Sequence, residues 1–507
     1  MTSIYLHKLL DLVGVDYHQK FVNPEIKGIS FNSKDLSKGY LFLGLQGKQV
    51  DGGIYWKDAL NNGAEAAIIS DEAFLNSGKI KDEKVLVLPK PLNHLFGQII
   101  AEFWNRPSDK LKMLGVTGTN GKTTITFLIE HILMKLGKNV ALFGTLFNRW
   151  PGFYEISTHT TDFADKLQPK LNAVIEANTD YLVMEVSSHA IDQKRISGCT
   201  FNAAIFTNLS QDHLDYHEDM ESYFHTKMEL FKPPFLDEIQ GVTVINIDDH
   251  WGRQLNRNLL YDPVIVSLEK IKNDCKNEKY FYVSGKKFTK EGSYCMLHSN
   301  LEEMELFVPL VGEFNLMNTI QAIILVNEIG FSLRDVCNAV KTFPGVPGRM
   351  ERINLNIGDL NDRCPEVIVD YAHTPDGLRK VLESIKGISS GRIITVFGCG
   401  GNRDVKKRPI MGSIAESLSD FIFITSDNPR MEEPDKIIED ILKGIENRNK
   451  IKIYIDRFYA IKNAINFAKS DDIVLIAGKG HEDYQIIKDR RISFDDRKIA
   501  CDLLRAR

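Results

Sequence analysis

The residues with the most direct chemical meaning form the run Gly115-Val-Thr-Gly-Thr-Asn-Gly-Lys-Thr-Thr124. Glycines in such a run let backbone N–H groups turn toward phosphate oxygens. A helix starting behind them adds the positive end of its dipole. Gly118, Thr119, Asn120, Gly121, Lys122, Thr123 and Thr124 are the candidate nucleotide contacts. A lysine at position 122 can reach the β- and γ-phosphates, and the hydroxyl of Thr123 can bind Mg²⁺. The strict phosphate-loop pattern wants glycine where Val116 stands, so the loop is a variant. An ordinary glycine-rich turn is the bland alternative. The Gly-Lys-Thr ending between a strand and a helix argues against it.

Two further polar runs follow strand-like segments. Met184-Glu-Val-Ser-Ser-His189 sets Glu185 at a strand's carboxyl end, where open α/β sheets bind ligands. Thr207–His217 gathers Asp212, His213, Asp215 and His217 as candidate metal ligands. The His-x-x-x-His spacing by itself is compatible with zinc. The nearby phosphate loop favours Mg²⁺, held mainly by oxygens and waters. By composition, Lys227 reads as a surface lysine on a helix. The run Gly-Cys-Gly-Gly at 398–401 lacks G-x-G-x-x-G spacing and suits a ligand-contacting turn better than a dinucleotide site.

These residues need elements to position them. Lys112–Val116 reads as a buried strand, Thr123–Leu136 as a helix with Ile125, Leu128, Ile129, Ile132 and Leu136 at helical spacing, and Asn139–Phe143 as the next strand. That is a βαβ unit, which implies a parallel sheet covered by helices. Similar apolar runs recur at Tyr181–Met184, Ala203–Phe206 and Val242–Ile247. Beyond residue 345, strands at Glu366–Val369, Ile393–Phe397, Phe421–Ile424 and Ile473–Ile476 alternate with helical stretches, predicting a second, Rossmann-like α/β domain. Strand-like pieces at Tyr40–Leu45, Ala66–Ile69 and Val85–Leu88 predict α/β structure near the N-terminus as well. Turn-rich junctions at 105–110 and 343–349 divide the chain.

Together these segments resemble the Mur ligases, which build the peptide of peptidoglycan precursors, and the resemblance covers essentially the whole chain. It rests on ordered markers at 118–124, 184–189, 207–210, 212–217, 312–318 (Gly-Glu-Phe-Asn-Leu-Met-Asn), 345–351 (Gly-Val-Pro-Gly-Arg-Met-Glu) and 370–375 (Asp-Tyr-Ala-His-Thr-Pro). Markers at 397–404, 427–430 (Asp-Asn-Pro-Arg) and 477–482 (Ala-Gly-Lys-Gly-His-Glu) resemble the branch that adds diaminopimelate. The resemblance implies an α/β, three-domain architecture. Residues 1–108 would bind the UDP end, 109–345 would form the central phosphate-loop ATPase with its parallel sheet, and 346–507 would be a Rossmann-like amino-acid-binding domain.

It also implies roles. Ser33 and the turn Lys48-Gln49-Val50 match uridine-nucleotide contacts. Thr160, Thr161, Ser187, Gln193 and Arg195 match contacts to the muramoyl-peptide. Glu185 and His213 match metal ligands, and Lys227 matches a lysine that this family carbamylates. Lys122, Glu185, His213 and Lys227 are thus the expected catalytic set. Asn315, with Asn318 as a second candidate, resembles the adenine-side motif; Arg349 and Asp370 resemble nucleotide contacts at the hinge. Arg403, Asp427, Asn428, Pro429, Arg430, Gly478 and Glu482 match the diaminopimelate pocket. The chain departs from some relatives at Lys48, His159 and Asp162.

The implied reaction joins meso-diaminopimelate to UDP-N-acetylmuramoyl-L-alanyl-D-glutamate through an acyl-phosphate made with ATP and Mg²⁺. A lysine-adding sister ligase and an inactive nucleotide-gated binding relative are the alternatives. The base for the incoming amine is left open between His213 and a carboxylate.

Bulk properties set limits. A net charge of -5 leaves no basic footprint for nucleic acid. The seven cysteines are scattered with no CxxC pair, so neither a disulfide framework nor a zinc ribbon is expected. The first sixteen residues do not read as a signal peptide, and no apolar run is long enough for a membrane span. A soluble cytoplasmic protein acting as a monomer on small-molecule substrates is the expectation.

Overall fold

The computed structural model describes residues 3–79, 82–270, 279–300, 302–353 and 364–507. The chain packs as two compact units. One comprises Met1–Thr117, Gly137–Ile205 and His225–Thr243; the other comprises Gly118–Leu136, Phe206–Phe224 and Val244–Arg507.

The first unit holds a short antiparallel pair, Ile4–Tyr5 with Glu25–Ile26, and strands of two larger sheets. A four-stranded parallel sheet runs Gly28–Ser30, Tyr40–Leu43, Ala64–Ser70, Val85–Leu88. Leu41, Leu43, Ala66 and Ile68 point to one core, with Phe96, Ile99 and Ile100 of the helix Asn93–Phe103. Phe42, Ala67 and Ile69 point to the other, with Trp56 and Ala59. Period-two alternation with both faces apolar is what a helix-covered parallel sheet requires. In the second sheet, Tyr181–Glu185 lies parallel between Lys112–Thr117 and Val140–Phe143. A hairpin, Phe147–Trp150 with Phe153–Ile156, extends it antiparallel. Glu185 and Thr117 therefore end neighbouring parallel strands at the same edge.

In the second unit, the six-stranded sheet runs Glu351–Arg352, Glu366–Asp370, Ile473–Ala477, Ile393–Phe397, Phe421–Ile424, Ile451–Ile453. All pairs are parallel except the first. Ile368, Ile393, Ile422, Ile424, Ile473 and Leu475 face the helices Pro375–Lys386, Lys407–Leu418 and Pro434–Leu442. Val367, Val369, Ile394, Phe423, Val474 and Ile476 face Arg457–Phe467 and Asp496–Arg505. This is the doubly covered sheet expected beyond residue 345. A separate group of strands, 264–267, 280–288, 293–298 and 303–308, turns antiparallel after its first pairing.

The expected strands recur with shifts of a residue or two, as at Lys112–Thr117, Val140–Phe143 and Val242–Asn246. The expected helix runs from Lys122 to Lys135. Of the seven cysteines, Cys275 lies outside the described residues, and the other six carry free thiols. Among the described residues no helix is long and apolar enough to cross a membrane.

One buried ion pair ties the C-terminal helix to this sheet. Arg457 Nε and Nη2 donate to Asp496 at 2.8 and 2.7 Å, with both side chains fully buried. Arg457 also donates to the Ala477 and Ser426 carbonyls at 3.0 and 3.4 Å. Removing one partner leaves an unpaired buried charge, which typically costs about 3–5 kcal/mol. Asp496→Ala should therefore lower stability by about that amount in denaturant unfolding, whereas an Arg457→Met/Asp496→Leu double variant should lose clearly less. Equal losses in the two proteins would show that the charge pair is not what matters.

Candidate functional site

The glycine-rich loop joins the strand Lys112–Thr117 to the helix Lys122–Lys135, and Gly118 has a φ of +144°. A Cβ at Gly118 would lie 1.9 Å from Thr207 Oγ1, so only glycine lets the two segments approach. The segment Thr207–Ser210 braces the loop from outside. Thr119 N donates to Asn208 O at 2.9 Å, and Asn120 N donates to Asn208 Oδ1 at 3.0 Å. Thr207 Oγ1 donates to Asn120 O at 2.6 Å, and Ser210 N to Thr119 Oγ1 at 3.0 Å. Lys122 Nζ donates to Gly118 O and Thr119 O, both at 2.9 Å. Its ammonium is thereby held over the loop. Thr123 lies within 3.4 Å of Arg349 Nη2, and Asn120 Nδ2 donates to Asp376 at 3.2 Å.

The sequence reading treats Asp212, His213, Asp215 and His217 as one ligand cluster, and the structure separates them. His213 adopts a φ of +55° and lies 3.4 Å from Asp212. The turn sends His217 inward, where it stacks on Tyr223 at 4.8 Å and is buried, while Asp215 is exposed. A rigid aromatic partner thus claims the second histidine. Among the described residues, no three His, Cys, Asp or Glu side chains gather as a metal-binding group. A zinc site of that composition is accordingly not found there.

Glu185 is buried and its carboxylate is oriented by Thr145. Thr145 N donates to Oε1 at 2.9 Å and Thr145 Oγ1 to Oε2 at 3.0 Å. Thr145 Oγ1 in turn lies 3.1 Å from Thr160 Oγ1. Thr161 Oγ1 donates to Glu185 O at 2.8 Å and accepts from Ser187 N at 3.2 Å. Arg195 donates to Thr161 O at 2.9 Å and, through Nε and Nη2, to Gln193 Oε1 at 3.0 and 2.7 Å. The residues Thr160, Thr161, Ser187, Gln193 and Arg195 are therefore gathered around the end of the Glu185 strand. Thr145 belongs with them, and no sequence signal marked it. Asp162, one of the departures, is buried and pairs with the half-buried Lys170 at 2.6 Å.

Lys227 is not the surface lysine that composition suggests. It sits in the last turn of the helix Met220–Met228, is 1% exposed, and its Nζ lies 3.4 Å from Thr117 Oγ1. Thr117 immediately precedes Gly118 in the chain. At the N-terminal sheet, Lys48, Gln49 and Val50 form an exposed turn closed by Gly47 N donating to Val50 O at 3.0 Å. The Ser33 carbonyl accepts from Asn62 at 2.9 Å.

In the second unit, the hinge residues assemble around Arg349. Its guanidinium lies 4.3 Å from the Tyr371 ring, and its Nε is buried without a partner among the described residues. Asp370 accepts from Met350 N and Ala372 N, both at 2.7 Å, and burial raises its carboxyl above the ordinary range. Burial also pushes His373 down to about 4 and His481 to about 3, so both are neutral near pH 7. Asn315 is buried in the first turn of the helix Glu313–Glu328 and donates back to Val311 O, just before that helix, at 2.9 Å.

The turns at the carboxyl end of the six-stranded sheet hold the remaining expected residues. Asn428 Nδ2 donates to Glu482 Oε2 at 2.9 Å, and Arg430 Nη1 donates to Gly401 O at 2.8 Å. Asp427 Oδ2 is buried with no partner among the described residues. It faces Gly478, where a Cβ would lie 2.6 Å from it. An orphaned buried carboxylate oxygen is costly unless a ligand donor meets it. Arg403 is exposed at the rim, and Pro429 is buried within the turn. The hairpin strand Tyr484–Ile487 fixes this turn: Gln485 Nε2 donates to Asp427 O at 2.7 Å, and Ile486 N to Asn428 Oδ1 at 2.9 Å. Lys479, which sequence reasoning passed over, lies among these groups and is fully buried.

Comparison with known proteins identifies the family. The Mur ligase family, catalytic domain, matches residues 25–104; the Mur ligase middle domain matches 116–326; and the Mur ligase, glutamate ligase domain, matches 348–480. A UDP-N-acetylmuramoyl-L-alanyl-D-glutamate–2,6-diaminopimelate ligase from Prochlorococcus marinus subsp. pastoris is 60% identical over 504 residues, covering 99% of each chain. One of the same name from Trichormus variabilis is 45% identical over 480 residues, covering 94% of each. A solved structure of a ligase with that name superposes with a TM-score of 0.66 at 33% identity, covering 95% of both chains. A MurF ligase from Thermotoga maritima in complex with ADP shares the fold, with a TM-score of 0.61 at 16% identity over 94% of this chain and 96% of that one. By sequence and by fold, this chain belongs to the Mur ligase family.

Proposed function

We propose that this chain adds meso-diaminopimelate to UDP-N-acetylmuramoyl-L-alanyl-D-glutamate at the expense of ATP, as a monomeric cytoplasmic enzyme of peptidoglycan precursor synthesis. Its domains in this reading are 1–108 for the UDP end, 109–345 for ATP and 346–507 for the amino acid. The observation that carries it is the gathering of Arg430, Asp427, Asn428 and Glu482 on turns at the carboxyl end of one sheet, with Asn428 donating to Glu482 and Arg430 to Gly401 O. Diaminopimelate ends in an ammonium and a carboxylate, whereas lysine ends in an ammonium alone. A guanidinium suits a carboxylate, with two parallel hydrogen bonds. Placed against an ammonium it costs like-charge repulsion.

The roles follow from residue chemistry. The glutamate carboxylate attacks the γ-phosphorus of ATP, ADP leaves, and an acyl-phosphate forms. The amine of diaminopimelate then attacks the acyl carbon, and phosphate leaves. Lys122 neutralises charge that grows as two anions meet, the main lever in phosphoryl transfer. Thr160, Thr161, Ser187, Gln193 and Arg195 orient the muramoyl-peptide, and Ser33 with Lys48–Val50 hold its uridine end. Asn315 and Arg349 contact the nucleoside.

Thr123, Glu185, His213 and a carbamylated Lys227 suit a hard cation. Glu185 would offer carboxylate oxygens to such an ion, its side chain oriented by the two donors of Thr145. Bound Mg²⁺ would supply charge neutralisation at the transferred phosphoryl group. Lys227 becomes suited to this when its neutral Nζ attacks carbon dioxide and releases a proton, giving an anionic carbamate. As an unmodified ammonium it would oppose cation binding.

Phosphate release in the presence of the UDP-muramoyl-dipeptide should depend on meso-diaminopimelate; no release with any amino acid offered would end the enzyme reading. Arg430→Ala should lose the preference for diaminopimelate over lysine, by at least about tenfold in relative kcat/KM. Unchanged selectivity would remove the carboxylate-clamp argument. Protein equilibrated with ¹³C-bicarbonate should give a carbamate ¹³C resonance that disappears in Lys227→Arg; its absence in the wild type would refute the modification.

A further inference from the structure

Glu482 is expected to receive the distal ammonium of the substrate, yet its carboxylate already has a cation. Lys479 Nζ donates to Glu482 Oε2 at 2.8 Å, and the lysine side chain is fully buried. The same ammonium lies 3.3 Å from Asn428 Oδ1 and 5.3 Å from the Tyr484 ring centroid. Asn428 Nδ2 also falls on Oε2. Both donors therefore use one oxygen and leave Oε1 as the atom that neither takes. The other fully buried cation nearby, Arg457, is committed to Asp496 and to backbone carbonyls. Lys479 is thus the direct counter-charge of Glu482.

We propose that Lys479 is a specificity-determining positioning residue, which orients Glu482 and cancels its charge so that the pocket rejects a distal end that is only cationic. The inference rests on the amino-acid pocket assigned above. Its logic is a charge count. With Lys479 present, the inner pocket holds Arg430 and Lys479 against Glu482 and Asp427, with Arg403 exposed at the rim, and a zwitterionic distal end leaves that balance unchanged. A lysine substrate adds a net positive charge to a pocket that has no spare anion. Without Lys479, Glu482 becomes an uncompensated, partly buried anion: it attracts lysine and repels the distal carboxylate of diaminopimelate.

The test compares kcat/KM for meso-diaminopimelate and for L-lysine by phosphate release, using full-length wild type, Lys479→Met, Lys479→Gln and Lys479→Arg. The Gln variant keeps a donor toward Glu482 and serves should the Met variant not fold. In the neutral variants the diaminopimelate-to-lysine ratio should fall at least about tenfold, through a higher KM for diaminopimelate and a lower one for lysine. Lys479→Arg should stay nearer the wild-type ratio, and Glu482→Gln added to the neutral variant should cancel the gain for lysine. A purely structural lysine would weaken both substrates equally, and an unchanged ratio in the neutral variants overturns the proposal. Failure of wild type to use diaminopimelate would instead overturn the functional reading itself.

Discussion

The clasp between Thr207–Ser210 and the loop Gly118–Asn120 is the constraint on which the phosphate loop depends. A glycine-rich loop has many conformations to lose, and ordering each residue costs about 1–2 kcal/mol. Four hydrogen bonds from the neighbouring segment fix it before any ligand arrives. They do so from one side, through Thr207, Asn208 and Ser210, and they occupy Thr119 N and Asn120 N. The loop's phosphate-facing surface must therefore come from its other donors and from Lys122. Because Lys122 is tethered to two loop carbonyls, the charge and the backbone are positioned together. Preorganised charge of this kind needs no reorganisation during reaction, which is where electrostatic catalysis gains most.

Local pattern made much of this legible in the sequence. The strand, loop and helix around Lys122 are short-range features with their own periodicity and turn chemistry. The doubly covered C-terminal sheet is written in its continuous apolar strands, because burial on both faces removes the need for polar alternation. Lys227 was not legible from composition. It is buried by helix packing against a strand more than a hundred positions away, and only the family resemblance singled it out. Thr145 carries no motif, since its function depends on facing Glu185. The cluster Asp212–His217 shows the opposite case. Spacing places ligand types side by side, but a left-handed residue at His213 and a stacking partner at Tyr223 decide where each side chain goes.

Lys479 illustrates a third kind of illegibility. It lies between Gly478 and Gly480, in a run that reads as a turn. Nothing local distinguishes it from a solvated lysine. Its burial comes from Asn428 and Glu482 closing over it, one on a different strand's turn and the other three residues on. A hydrophobic replacement of a buried ion pair is often as stable, so folding stability alone does not account for a buried lysine here. That directs attention to charge balance in the pocket rather than to folding.

Arg430 is held in the same spirit. Its φ of +51° is an uncommon conformation for a non-glycine residue. Such strain persists only where surrounding structure over-determines it, and it clusters at ligand clamps. Here the over-determination is explicit. Arg430 N donates to Ile486 O at 3.0 Å and Lys488 N donates to Arg430 O at 2.7 Å, so the hairpin grips both sides of the residue. Gly401 O then takes one guanidinium nitrogen at 2.8 Å. The side chain is aimed by its backbone, and the backbone by the hairpin Tyr484–Ser493. An arginine free to choose its rotamer would pair with any nearby carboxylate, including Glu482. Fixed as it is, it can serve a substrate carboxylate while Lys479 balances the charge of Glu482, and Arg430 and Glu482 stand in one pocket without pairing with each other.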